Sequence, residues 1–197
     1  MSVQAKKSTN RHSPQKLHSI FGLLTGRYFA GEIETGKTKS HFTFSPTSAA
    51  VANGKLELTG RFTVKSGSGP ARKAENVKAT LLGTQGGLAT APTTPKGADA
   101  AMLGSITSVG LPATEATGVR GYVGVMYFKL SALNGPALGL PFDLGAVQLN
   151  GRLNPTDDTA RALQFWYSVA VRAVHGEQAE TSLVSRSVDE INQILKV

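Results

Sequence analysis

His12, His18, His41 and His175 are the side chains of this chain best suited to carry protons or bind a metal near neutral pH. Their spacing assembles no site. No His-x-x-x-His or His-Glu pair stands at ligand spacing, and the absence of cysteine removes thiolate nucleophiles, disulfides and Cys-ligated zinc or iron–sulfur centres. His41, beside Phe42 in an alternating stretch, reads as a hydrogen-bonded strand residue near the core. His175 falls at the end of a helical segment, where a cation meets the negative end of the helix dipole. Asp157-Asp158 is an adjacent carboxylate pair, but neighbouring residues diverge on a helix, so acids opening a helix explain it better than paired acid–base catalysis. Gly83-Thr84-Gln85-Gly86-Gly87 follows a strand, as a phosphate-binding loop would, yet it lacks the Lys-Ser/Thr of a nucleotide loop and reads as a turn. No Gly-x-Ser-x-Gly elbow occurs. The sequence therefore nominates no catalytic residue, no cofactor site and no metal ligand, and it leans away from an enzyme.

What stands out instead is where the charge lies. The 197-residue chain has a net charge of +8. Residues 1–82 hold 13 Lys and Arg against four acids; residues 83–197 hold eight against nine. Such asymmetry nominates a polyanion contact through Lys37, Lys39, Lys55, Arg61, Lys65, Arg72, Lys73 and Lys78. Basic and aromatic residues interleave in Arg27-Tyr28-Phe29, Lys39 to Phe44 and Arg61-Phe62, the mixture that single-strand-binding barrels use. The phenylalanines, however, fall on the parity expected to be inside, and core packing is the preferred reading. Glu32 and Glu34 share a strand face, opposite Lys37 or Lys39, as a surface ion-pair cluster.

The elements that must position these residues are mainly strands. Lys55 to Lys65 alternates: Leu56, Leu58, Phe62 and Val64 on one parity, Glu57, Thr59, Arg61 and Thr63 on the other. Asn53-Gly54 before it is a two-residue hairpin turn. Arg27 to Glu34 and Lys39 to Ser45 flank a second hairpin at Thr35-Gly36-Lys37. Asn76 to Leu82 returns as another strand. Tyr122 to Leu130, apolar on both parities, suits a strand covered on both faces. Ala137 to Asp143, broken by Pro141, suits an edge or irregular strand. Ala146 to Leu153 places Val147, Leu149 and Leu153 inside and Gln148, Asn150 and Arg152 outside.

Helices are expected at three places. Ser13-Pro14 followed by Leu17, Ile20, Phe21 and Leu24 predicts a short amphipathic helix over about 14–24. Thr156 as a cap, with Asp157 and Asp158 in the first turn, predicts a helix over 157–174, although that stretch also alternates like a strand. Ser187-Val188-Asp189-Glu190 predicts a final short helix opening at Ser187. Residues 1–12 read as a disordered basic arm, and residues 13–197 as one β-rich domain. A Gly/Thr/Pro-rich irregular insertion over about 83–118 could be a lid, a partner loop or disordered.

The architecture expected is a mainly β (α+β) fold. An antiparallel meander of about seven or eight strands forms a barrel or strongly bent sheet, with helices packed on it. No apolar run approaches membrane-spanning length and no signal peptide is visible, which makes the cytoplasm the expected compartment. The leading function is a non-enzymatic binding or interaction protein, holding an apolar small molecule between sheet and helix or meeting an acidic protein. Nucleic-acid binding through the basic half is the first alternative and an enzyme the second. Internal apolar volume would favour the carrier, a contiguous basic face the polyanion binder, and a cleft of converging polar groups the enzyme.

Overall fold

A computed structural model describes residues 18–35, 37–85, 125–140, 147–154, 156–175 and 181–197. Seven strands close into a barrel in sequence order: β1 (His18–Thr25), β2 (Tyr28–Thr35), β3 (Thr38–Ala52), β4 (Lys55–Ser66), β5 (Arg72–Gln85), β6 (Val125–Leu130) and β7 (Val147–Leu153). Each strand pairs antiparallel with the next. With an odd number of alternating strands, the first and last point the same way. The seam between β1 and β7 is accordingly parallel, with Gly22 opposite Gly151 and Leu23 opposite Arg152. A 3₁₀ turn (Pro136–Leu138) precedes β7, and two helices follow it: α1 (Asp158–His175) and α2 (Thr181–Lys196).

The hairpin turns follow from the sequence. Asn53 and Gly54 both take positive φ, 51° and 66°, the backbone that a tight two-residue turn requires. The long strands β3, β4 and β5 would diverge from a small barrel if they stayed straight. Register shifts at Pro46/Ser48, Gly60/Phe62 and Leu81/Gly83 bend them around it. The expected inward set of β4 is buried, namely Leu56, Leu58, Phe62 and Val64, with Arg61 exposed outside. Glu57 is outward as expected but only 20% exposed in its side chain, because it holds Lys78 at 2.8 Å.

Three strands share a feature that makes the interior possible. Gly31, Gly22 and Gly151 lie in one hydrogen-bonded row across β2, β1 and β7. A methyl group on Gly151 would stand 2.5 Å from the Phe29 ring; one on Gly31 would collide first with the Phe21 backbone carbonyl oxygen and would also stand 2.8 Å from the Phe42 ring. The glycines leave the volume that these rings occupy, the small-against-large alternation by which small barrels fill their interior. Phe29 then meets Phe128 edge-on at 5.2 Å and lies 6.5 Å from Phe44, while Phe42 stacks on Phe62 at 5.4 Å.

Helix α1 packs on β1, β4, β5 and β7 and delivers Trp166 and Tyr167, both fully buried. Tyr167 meets Phe128 edge-on at 5.9 Å. Helix α2 lies on α1 and β3. Its Asn192 side chain accepts from the Ala49 backbone N–H at 2.7 Å and donates to the Ala49 carbonyl at 3.0 Å, pairing the stretch of β3 that follows the Pro46/Ser48 shift.

Several expectations are corrected. Residues 18–24 are strand, not helix: pairing with β2 on one side and β7 on the other outweighs the helical spacing, and Ile20 and Leu24 turn inward while Phe21 and Leu23 turn outward. Asp157, not Thr156, caps α1. Its Oδ1 accepts from the Ala160 backbone N–H at 2.8 Å, while Thr156 binds Asn154. The last helix opens at Thr181, six residues before the expected cap. Ser187 is buried within it and donates back to the Leu183 carbonyl at 2.7 Å. Pro136–Leu138 is a 3₁₀ turn rather than the start of an edge strand. Strand β5 runs to Gln85, so 83–85 belong to the barrel. Asn150 is outward but buried, in a row between Phe21 and Tyr127. The 1–12 arm, residues 86–118 of the insertion and Tyr122 to Gly124 lie outside the described residues.

Phe62→Ala should lower the unfolding free energy by about 3–5 kcal/mol, whereas Arg61→Ala should leave the chemical-denaturation midpoint nearly unchanged. Urea titration of the two variants checks the assigned register.

Candidate interaction surface

The eight nominated basic residues do not make one contiguous positive face. Lys39 pairs with Glu34 at 3.1 Å and Glu32 at 3.4 Å. Arg61 grips Glu75 with Nε at 2.8 and 3.0 Å, Lys73 approaches the same carboxylate at 3.5 Å, and Lys78 pairs with Glu57. Arg72 donates to the Pro136 carbonyl at 3.3 Å. Lys37, Lys55 and Lys65 are exposed and form no ion pair among the described residues. Lys55 opens β4 just after one hairpin turn and Lys65 stands at that strand's far end, so these charges are spread along the barrel.

The ion pairs leave their electrostatic mark. Hydrogen bonding from Arg61 holds the Glu75 carboxyl below its ordinary range against the opposing effect of burial, and the Arg61 charge and Lys73 add smaller contributions in the same direction as the hydrogen bond. Hydrogen bonds to Glu34 and then Glu32 hold the Lys39 ammonium above its ordinary value. The Glu75 pairing is therefore intact above the ordinary carboxylate range and is lost as pH falls through the depressed value. That of Lys39 is intact at neutral pH and lost only as pH rises through the elevated value.

The described histidines sit on three different elements. His41 is on the outer face with its side chain 70% exposed, 3.6 Å from Glu32, which corrects its placement near the core. His18 opens β1 and His175 ends α1. Among the described residues no three His, Asp or Glu side chains gather as a metal site. The acids at the start of α1 are structural. Asp157 also accepts from the Gly26 backbone N–H at 2.7 Å through Oδ2, tying the helix start to the β1–β2 turn, and Asp158 pairs with Arg161.

On α1, Arg161 Nε is buried without a hydrogen-bond partner among the described residues. The Tyr167 hydroxyl and the Trp166 indole N–H are buried without a hydrogen-bond partner among the described residues. Burial pushes the Tyr167 hydroxyl far above its ordinary pKa, so it stays protonated at physiological pH. The Phe128 ring packs against the Tyr167 ring, and Phe29 packs against Phe128 in turn.

The outer surface, in contrast, is divided. From β2 to β5 it is mostly charged, with ion pairs among Glu32, Lys39, Arg61, Glu75 and Lys78, although Val51 on β3 and Leu82 on β5 are exposed there as well. Around the parallel seam it is apolar. One row runs Glu32, Phe21, Asn150 and Tyr127 across β2, β1, β7 and β6, and the next runs Ala30, Leu23, Arg152 and Val125. Phe21 is 58% exposed and Leu23 45%. With Gly22, Ala30 and Arg152 they line an open groove of about 390 Å³, and the Arg152 guanidinium sits 5.8 Å from the Phe21 ring centre. Tyr28, also exposed, extends the apolar surface along β2.

Comparison with family models, with curated proteins and with solved structures found no match to this chain. The surface therefore has to be read from its own chemistry. The sequence reading missed Phe21 and Leu23 because the helical spacing put Phe21 on a buried face with Ile20 and Leu24. The signal was present: from Ile20 to Leu24 both parities are apolar, which marks a strand engaged on both faces.

Replacing Asp157 with Ala removes the α1 cap and the bond to Gly26 together and should cost about 2 kcal/mol. Asp157→Asn, which keeps one acceptor oxygen, should cost roughly half as much. Thermal unfolding followed by circular dichroism measures both.

Proposed function

We propose that this chain is a non-enzymatic interaction protein. Its packed barrel serves as a rigid scaffold, and binding takes place on the outer face of β1, β2 and β7. The observation that carries this reading is the exposure of Phe21 and Leu23 side by side in the middle of a closed sheet. Among the described residues no helix covers these side chains, and the interior face of β1 is already served by Ile20, Gly22 and Leu24. Exposed apolar clusters rimmed by polar residues are the mark of docking surfaces. Glu32, Asn150 and Arg152 supply the rim, and the groove between them supplies shape.

An apolar ligand held between sheet and helix, the first expectation, finds that space occupied by Trp166, Tyr167 and Phe128, so the apolar binding is assigned to the outside. Polyanion binding through the nominated residues is supported by Lys37, Lys55, Lys65 and Arg72, which have no carboxylate partner among the described residues, whereas Lys39, Arg61, Lys73 and Lys78 have one.

The test is bis-ANS fluorescence at submicromolar protein concentration. The Phe21→Ser/Leu23→Ser double variant should lose most of the dye signal of the wild type while its melting temperature stays within a few degrees. A dye signal equal to that of the wild type, or a loss of folding, would make these side chains structural and remove the reading.

A further inference from the structure

The occupant of this face can be named from its charge pattern, an inference that rests on the docking reading above. In the two rows across the seam, Glu32 and Arg152 stand at opposite corners of a rectangle whose centre lies between Phe21 and Leu23. Glu32 is beside Phe21 on β2, and Arg152 is beside Leu23 on β7. A surface with one acid and one base related in this way is complementary to itself. Turned over about a two-fold axis in the plane of the sheet, perpendicular to the line joining the two corners, it lays each Arg152 on the other copy's Glu32, twice over. The two Phe21–Leu23 pairs then meet at the middle. Strand spacing of about 4.8 Å and a rise of about 3.4 Å per residue put that axis oblique to the strands, so the two sheets cross steeply rather than align.

We infer that the apolar face over the β1–β7 seam docks a second copy of this chain in an isologous dimer, with reciprocal Arg152–Glu32 pairs flanking the Phe21 and Leu23 side chains. An isologous contact requires self-complementarity, and this patch has it in both charge and hydrophobicity. Arg152 is free to take the role, since it makes no ion pair among the described residues and its described contact is the Phe21 ring. Among the described residues Glu32 is held only by long contacts, Lys39 at 3.4 Å and His41 at 3.6 Å, and Lys39 keeps Glu34 at 3.1 Å if Glu32 turns to another partner.

The experiment is sedimentation velocity from 1 to 300 µM on the full chain and four variants: Arg152→Glu, Glu32→Arg, the double swap Glu32→Arg/Arg152→Glu, and Phe21→Ser. Circular dichroism confirms that each is folded. The wild type should dimerise reversibly. Each single charge reversal, which opposes like charges at both corners, should weaken the dimer at least tenfold. The double swap should restore it to within a few-fold, and Phe21→Ser should leave a monomer. A wild type that stays monomeric to 300 µM overturns the inference while leaving the dye-binding test of the surface standing. A dimer indifferent to all four changes overturns it by placing the contact elsewhere. Two weakened single reversals without rescue in the double swap also overturn it, since the corners would then not meet.

Discussion

The fit of the Phe29 ring over Gly151 is the contact on which the rest of this barrel depends. A barrel of seven strands has a narrow interior, and an aromatic ring lies against its wall only where the strand beneath the ring has no side chain. Gly31, Gly22 and Gly151 supply that wall on three adjacent strands, and Phe29 and Phe42 fill the space they leave. From Phe29 the aromatic contacts run to Phe128 and on to Tyr167, which brings α1 down onto the barrel. The helix is placed at its other end by the Asp157 carboxylate on the β1–β2 turn. Ring seat, helix and turn are thus parts of one packing arrangement rather than separate devices.

The same seam determines what the outside can do. Closing an odd-stranded meander sets β1 parallel to β7, and this brings Leu23 beside Arg152 and Phe21 beside Asn150. No local sequence feature joins these residues, which lie more than a hundred positions apart. The interaction face therefore exists only in the closed barrel. Its neighbour, from β2 to β5, is covered by ion pairs that keep that side of the barrel in water. Charged side chains dominate one side, though Val51 and Leu82 are also exposed there, and Phe21 and Leu23 stand together on the other.

Much of the fold was legible because it is local. Period-two alternation and the Asn53-Gly54 turn gave β3, β4 and their inward residues, and Val147, Leu149 and Leu153 fell inside as their spacing requires. The helix over 157–174 was legible from its acidic start despite an interior that alternates like a strand. What could not be read was set by long-range pairing. Residues 18–24 have helical spacing and became a strand because β2 and β7 offer hydrogen bonds on both sides. Ser187 looked like a helix cap, but packing of α2 on α1 and β3 extends that helix back to Thr181. The basic residues were legible as a count, yet the register decided which of them would meet a carboxylate, and that cannot be seen along the chain. The interaction face was missed for the same reason, since it straddles the seam.

The central claim is that the glycine row exists to seat the aromatic rings and that this seat holds the barrel together. The direct measurement is a double-mutant cycle in urea with Gly151→Ala and Phe29→Leu. Gly151 does not occupy the left-handed region, so alanine there is penalised by the ring and not by its backbone. Gly151→Ala should be strongly destabilising in the wild type and much less so in the Phe29→Leu background, with a coupling energy above about 1 kcal/mol. An equal cost of Gly151→Ala in both backgrounds would contradict the account, because the glycine would then be tolerated or required for a reason unconnected with Phe29.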